Sequence, residues 1–289
     1  MVAVSICIPA YNNESSLKRL LESIKQQSYP DYELIITDDS TDGRVGRLVG
    51  QYPELSIKYY KNENSLGPTA NTNMAVSKAV GKYIKIMHHD DAFSSPNSLK
   101  NMVAMLEDNP HAVLAFCGTN ENTYDAEGNL INEKSFTRVI SDWERSLLEH
   151  DYRNLFLVNM IGAPSAVIFK NEGMYLDEEL RWLVDIDFYI RLLQKNFHYI
   201  DCPEPLINIG LSETQVTRSC IEDEDLILKE TKYVFEKYGL IEEWAYRKYL
   251  IRMVLKMNRN YSELKGCGVK RREYFDQKLR KIIKDILKK

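Results

Sequence analysis

The sequence predicts an α/β fold: a mostly parallel central sheet flanked by helices, followed by a helical C-terminal extension. Three observations predict it. Short β-branched apolar runs alternate with helix-periodic runs through residue 117. Four of those runs end in polar segments, "PAYNNE", "TDDSTDG", "NENSLG" and "HHDDAF". From about residue 222 the pattern becomes helical and highly charged. Alternating strands and helices make layered α/β folds. In such sheets ligands bind at the carboxyl ends of the strands. The four polar ends therefore mark the expected site, and two of them carry paired aspartates.

The elements follow in order. "VAVSICI" (2–8) is a buried strand that stops at Pro9. "ESSLKRLLESIKQQS" sets Leu17, Leu20, Leu21 and Ile24 at helical spacing. "YELIIT" (32–37) and "LSIKYY" (55–60) are the next strands, and "PTANTNMAVSKAV" (68–80) is a helix of small residues. "KYIKIM" (82–87) is a fourth strand, and "SPNSLKNMVAMLED" (95–108) a helix opened by a Ser cap and Pro at its first position. "AVLAFC" (112–117) is a fifth strand. Beyond it the alternation weakens. A polar hairpin is expected around Glu127, Gly128 and Asn129, a strand at 165–169, and a helix over 185–196 with Asp185 at its start.

Bulk properties set the frame. At 289 residues, 44% apolar and 28% charged, the chain can bury a sizeable core. A net charge of −4 implies no general attraction to nucleic acid. Five scattered cysteines (7, 117, 202, 220, 267) with no CxxC pair argue against a disulfide framework and a zinc module. The start lacks a basic region ahead of a long apolar stretch, and no apolar run approaches the ~20 residues of a membrane span. These features point to the cytoplasm, with any membrane contact made peripherally.

The segments "VSICIPAYNNESSLKRLLESIKQQSYPDYELIITDDSTDG", "NENSLGPTANTNMAVSKAVGKYIKIMHHDD" and "WLVDIDFYIRLL" resemble, in order and spacing, those of family 2 glycosyltransferases. The resemblance covers roughly residues 2–217. It implies a GT-A type, Rossmann-like catalytic domain over 1–220. Residues 1–117 would form its nucleotide-binding half, 118–220 its acceptor-binding half, and 221–289 the helical extension. It also implies inverting transfer from a nucleotide-diphospho-sugar, UDP-linked by expectation, to a saccharide or lipid-linked saccharide in cell-surface polysaccharide synthesis. Three positions differ from the family pattern: no glycine follows the first aspartate pair, His88 stands two before the second, and Ser212 replaces a common histidine.

Each candidate residue carries two readings. Asp90 and Asp91 either hold Mn²⁺ or Mg²⁺ against a diphosphate or form a turn that caps a helix. The resemblance makes Asp91 the direct ligand and gives Asp90 a ribose or water contact. His88 and His89 are softer donors suited to Mn²⁺, expected no nearer than behind the ligands. A carboxylate at Asp38 or Asp39 can accept the imide N–H of uracil or thymine; the resemblance selects Asp39. The alternative is an Asx-turn, and both readings can hold. Pro9, Ala10 and Tyr11 would meet base or ribose, or simply end the strand. Glu14 touches the ribose or favours a helix N-terminus. Asn64, Gly67 and Asn73 follow the third strand, Gly67 as a tight turn and Asn73 as a nucleotide contact or a buried structural amide. Asp185 is the general base implied by the resemblance, with Asp187 its rival and a helix cap the alternative for either.

Residues 265–289 hold ten Lys and Arg against three acids, a net of +7, which leaves −11 for the remainder. Phe275, Leu279, Ile282, Ile283, Ile286 and Leu287 make one apolar stripe there. A basic amphipathic helix over 270–289 either lies on an anionic membrane or packs on protein, including a second subunit in a homodimer.

Overall fold

The computed structural model describes residues 2–125, 129–211 and 220–286. The chain divides into two compact units, Met1–Glu213 and Thr214–Lys289.

In the first unit, β1 (Val4–Ala10) lies between β2 (Tyr32–Asp38) and β4 (Tyr83–Ile86), parallel to both, and β3 (Lys58–Lys61) extends the parallel ladder beyond β2. On the other side of β4 come β8 (Val167–Lys170), β6 (Leu114–Thr123), β9 (Tyr199–Leu211) and the two-residue β5 (Ala92–Phe93). β7 (Phe136–Arg138) hangs on β6. The β4–β8, β8–β6 and β5–β9 pairings are antiparallel, while β6 and β9 run parallel. Six helices accompany these strands: α1 (Glu14–Lys25), α2 (Arg44–Val49), α3 (Pro68–Ser77), α4 (Ser98–Glu107), α5 (Asp142–His150) and α6 (Val184–Lys195).

Local sequence explains most of this. β1 is buried along its whole length, as a central strand covered on both faces must be. α1 buries Leu17, Leu20, Leu21 and Ile24, the four residues that its spacing puts on one stripe, and Asn13 caps it by accepting a bond from the Ser16 N–H at 3.1 Å.

Several expectations are corrected. β1 does not stop at Pro9 but runs through it to Ala10. The Cys7 carbonyl accepts from Met87 N–H, so Pro9, two residues on, faces the same β4 side, where the ladder has already ended at Ile86. The missing proline N–H therefore costs no ladder bond. The strand expected at 55–60 is Lys58–Lys61, preceded by a single 3₁₀ turn at Pro53–Leu55. α3 ends at Ser77 rather than 80, and α4 starts at Ser98, with Ser98 Oγ accepting from Ser95 N–H at 3.0 Å. β6 continues to Thr123 because β9, which was not expected, pairs with it over ten positions. Asp125 N–H donates to the Asn129 carbonyl at 3.0 Å; the hairpin expected around Glu127, Gly128 and Asn129, and Ser212, fall on or next to residues 126–128 and 212–219, which lie outside the described residues.

The second unit holds α7 (Glu224–Lys237), α8 (Trp244–Lys256) and α9 (Arg271–Ile286). Its core gathers Leu228, Val234, Phe235, Tyr246, Leu250, Ile251 and Val254, with Phe235 and Tyr246 edge to face at 5.4 Å. Arg247 of α8 pairs with Glu273 of α9 at 3.1 Å, and Tyr274 turns into the core.

Candidate active site

The two aspartate pairs lie at the ends of β2 and β4, the strands on either side of β1. At the end of β2, Asp38 is fully buried. Its carboxylate accepts from its own Ser40 N–H at 2.9 Å and from the Tyr59 hydroxyl at 2.7 Å, and pairs with Lys61 at 3.2 Å. Asp39 is 4% exposed and accepts four bonds: Asn62 Nδ2 (2.9 Å), Ser65 Oγ (2.8 Å), Leu66 N–H (2.7 Å) and Gly67 N–H (2.9 Å). Burial pulls its carboxyl upward, but the four donors outweigh burial and hold it below the usual value. Asp39 thus fastens the 62–67 loop, and a nucleobase N–H would have to share or displace one of these bonds. Gly67 precedes α3 with φ of 84°, a conformation that glycine adopts without strain. Asn64 is exposed on that loop.

Asn73 is a buried amide used by its own chain. It donates to the Leu176 carbonyl (3.0 Å) and to Glu178 Oε1 (2.9 Å), and accepts from Leu176 N–H (2.8 Å). Ala10 is buried, and Tyr11 beyond it is half exposed with its ring available to a flat partner. Glu14 sits in the first turn of α1. Asn12 between them holds a left-handed φ of 52°, its N–H bonded to Ser40 Oγ at 2.8 Å. Its buried Oδ1 has no partner.

At the end of β4 the chain turns through His88–Asp91 into β5. β5 is stitched to β9, Ala92 opposite Asn208 and Phe93 opposite Ile207. Asp91 is 2% exposed and accepts from Gly210 N–H of β9 at 3.0 Å. Burial and the neighbouring Asp90 push its carboxyl up to about 7, against the pull of bonds from Ser165 and Gly210. Ser165 Oγ also accepts from His88 N–H at 2.9 Å. The buried Lys85 ammonium, its pKa lowered by burial to about 7, donates to the Ser165 carbonyl and to that of Val167 at 3.3 Å. Arg19 of α1 donates to the Asp90 carbonyl at 2.9 Å and stacks on Tyr124 at 4.0 Å. A Cβ on Gly210 would lie 2.2 Å from that same carbonyl, so only glycine fits there. Arg19, Lys85, Ser165 and Gly210 were not singled out from sequence, because nothing in their own segments announces a partner 70 to 120 residues away.

His88, Asp90 and Asp91 each offer one donor atom, all within 4.8 Å of one another. Metal–oxygen distances of ~2.0–2.6 Å put opposite ligands ~4–5 Å apart. One imidazole and two carboxylates at this spread therefore fit a single divalent cation. His88 belongs to this cluster and does not stand behind it, contrary to expectation. His89 turns away: its Nδ1–H donates to the Pro9 carbonyl at 3.3 Å.

The two acids of α6 part company. Asp187 is fully buried and receives Arg191 Nε–H at 2.7 Å one turn on. Asp185 is partly exposed, beside an apolar crevice lined by Ile86, Pro164, Val167, Phe169, Phe188 and Tyr189. Burial raises its carboxyl to about 6, only partly offset by nearby His88. Ile86, two residues before His88, lines the same crevice, so Asp185 lies near the end of β4. A carboxyl of this kind is ionised at neutral pH yet basic enough to take a proton.

The fold is a mixed α/β sheet whose acids gather at the carboxyl ends of its strands, where such sheets bind ligands. The profile of Glycosyl transferase family 2 matches residues 5–173, and the chain belongs to that family. Its fold is GT-A. Among solved structures, TarS 1–349 of S. aureus in complex with UDP-GlcNAc superposes with a TM-score of 0.62 at 18% identity, over 95% of this chain and 79% of that one. The mannosyltransferase PcManGT of Pyrobaculum calidifontis, in complex with GDP-Man and Mn²⁺, gives 0.58 at 17% identity, over 81% and 64%. The GalNAc(5)-diNAcBac-PP-undecaprenol beta-1,3-glucosyltransferase of Campylobacter jejuni is 26% identical over 195 residues, 63% of this chain and 59% of that one. Across two further curated relatives matched at 28–29% identity, the chain spans 62–66% of their length, slightly less than two thirds.

Proposed function

We propose that the protein is an inverting, divalent-metal-dependent hexosyltransferase that uses a nucleotide-diphospho-sugar, with Asp185 as its general base. The carrying observation is the Asp185 carboxyl at the start of α6, in the crevice that Ile86 lines two residues before His88, where burial raises it to about 6. Its charge lets it accept the acceptor hydroxyl's proton as the oxygen bonds to the anomeric carbon and the nucleoside diphosphate leaves with the C–O electron pair. One displacement inverts that centre and needs no covalent sugar–enzyme intermediate. Asp187, tied to Arg191, keeps the first turn of α6 in place.

His88, Asp90 and Asp91 would hold the cation. When bound, it supplies charge neutralisation to the diphosphate. An imidazole donor favours Mn²⁺ over Mg²⁺. His88→Ala should therefore weaken Mn²⁺ binding, measured calorimetrically with UDP present, more than it weakens Mg²⁺ binding; equal losses would remove His88 from the ligand set. On the nucleotide side, Ala10, Tyr11 and Glu14 line the approach, and Asp39 acts through the 62–67 loop it fastens. UDP is the favoured carrier because the similar TarS structure holds UDP-GlcNAc. The name of the Campylobacter relative supports a lipid-linked saccharide acceptor and a role in cell-surface polysaccharide synthesis.

The test is stereochemical. NMR of the product from an α-linked donor should give the β-anomer, and Asp185→Asn should lower turnover by ~10²–10⁴ while UDP–Mn²⁺ affinity holds. A retained anomer, or full activity in Asp185→Asn, would overturn the assignment.

A further inference from the structure

In the C-terminal unit, α9 has two unlike faces. Tyr274 and Gln277 are buried, and Lys281 donates to the Leu255 carbonyl at 2.6 Å, so this face belongs to the unit's own core. The opposite face carries Phe275, Leu279, Ile282 and Ile283, spaced i, i+4, i+7 and i+8, and these large apolar side chains are 47–58% exposed. Four unburied residues in one stripe are not scattered surface hydrophobics.

Charge decides what would cover them. At 100° per residue, Arg271 and Lys278 border the stripe on one side and Arg280 lies beyond its other edge, while Arg272 sits on the stripe itself at its N-terminal end. Arg271 lies against the Phe275 ring at 5.6 Å. Of the nearby acids, Glu273 is turned inward to Arg247, and Asp276 lies 3.9 Å from Arg272. An apolar strip edged and interrupted by cations is disfavoured against an identical strip on a second copy. It complements a surface that is negative at the headgroups and apolar beneath them. Among the described residues, no helix is long and apolar enough to cross a membrane. The contact is therefore one that lies on the surface.

We infer that α9 docks the protein on an anionic phospholipid surface, with Phe275, Leu279, Ile282 and Ile283 inserted between the headgroups and the flanking arginines and lysines paired with lipid phosphate. This goes beyond sugar transfer: it supplies a location, and it holds or fails whatever the donor.

The experiment is co-sedimentation of the full chain with vesicles of phosphatidylglycerol and phosphatidylcholine, or of phosphatidylcholine alone, at low and high salt. The bound fraction should be high with the anionic vesicles at low salt, and fall several-fold in high salt or with neutral lipid. Leu279→Glu/Ile283→Glu and Arg271→Glu/Lys278→Glu should each reduce it at least tenfold. Both pairs change exposed residues, and an unchanged far-UV circular dichroism spectrum and thermal melt report that the C-terminal unit of each variant is folded. Wild-type protein that ignores anionic vesicles at low salt overturns the proposal. If light scattering then shows a dimer that Leu279→Glu/Ile283→Glu dissociates, the stripe is a subunit interface instead.

Discussion

The aspartate pairs ending β2 and β4 read alike in sequence and have different fates. At β2 both members are consumed by the chain: Asp38 by Ser40, Tyr59 and Lys61, and Asp39 by four donors of the 62–67 loop. At β4 only Asp91 is built into the wall, on Gly210 and Ser165, while Asp90 and His88 stay partly exposed. The acids of α6 repeat the contrast within two residues, Asp187 locked to Arg191 and Asp185 left against an apolar crevice. A carboxylate becomes scaffold when donors of the same fold saturate it. It becomes chemistry when burial raises its energy and few donors lower it.

The largest effect expected from this contrast is at Asp185. Asp185→Asn should lower turnover by ~10²–10⁴. The wild-type rate should fall on the acid side with an apparent pKa of about 6. The same substitution should stabilise the fold. A carboxyl raised in the folded state binds more protons folded than unfolded, so its ionised form costs stability. That cost is absent below the unfolded value, grows as pH rises from about 4 to 6, and is complete above 6. Urea titration at pH 8 should show a gain of up to about 3 kcal/mol, and little at pH 4. A variant equally stable at both pH values would mean that Asp185 is not held at a raised energy.

Asp187→Asn should do the reverse. It leaves Arg191 without its buried partner and should cost about 3 kcal/mol in the urea titration at pH 8. If Asp187→Asn proves as stable as wild type yet inactive, the two roles are exchanged.

Asp39→Asn turns an amide N–H₂ toward donors that need an acceptor. A loss of about 2 kcal/mol is expected, with faster hydrogen exchange at Leu66 and Gly67. Unchanged exchange there, with UDP affinity lost, would return Asp39 to direct base recognition. The smallest stability effect belongs to Asp90→Asn, within ~0.5 kcal/mol as for ordinary surface changes. Its Mn²⁺ affinity in the presence of UDP should nevertheless drop at least tenfold; an unaltered calorimetric isotherm would remove Asp90 from the metal site.

Much of the architecture was legible because it rests on local pattern. The β1, β2 and β4 runs are apolar over lengths that suit buried strands, and α1 repeats leucines at helical spacing, so each announces itself without its neighbours. β5 and β9 were missed for the opposite reason. "AF" is too short to carry a period, and "YIDCPEPLINIGL" contains two prolines; β9 tolerates them only because its register with β6 shifts at Gly118.

By itself, the sequence determined which strand ends carry acid, since the alternation of runs places the end of each parallel strand to within about two residues. It also determined the +7 tail with its apolar stripe, because helical periodicity is a local property. It could not decide which acids remain open to chemistry. That depended on donors from elsewhere in the chain: Leu66 and Gly67 for Asp39, Gly210 and Ser165 for Asp91, and an apolar wall of Ile86, Val167 and Phe169 for Asp185. Solvation and hydrogen bonding set a carboxyl's proton affinity, and both are properties of what packs against it, which only the tertiary structure supplies.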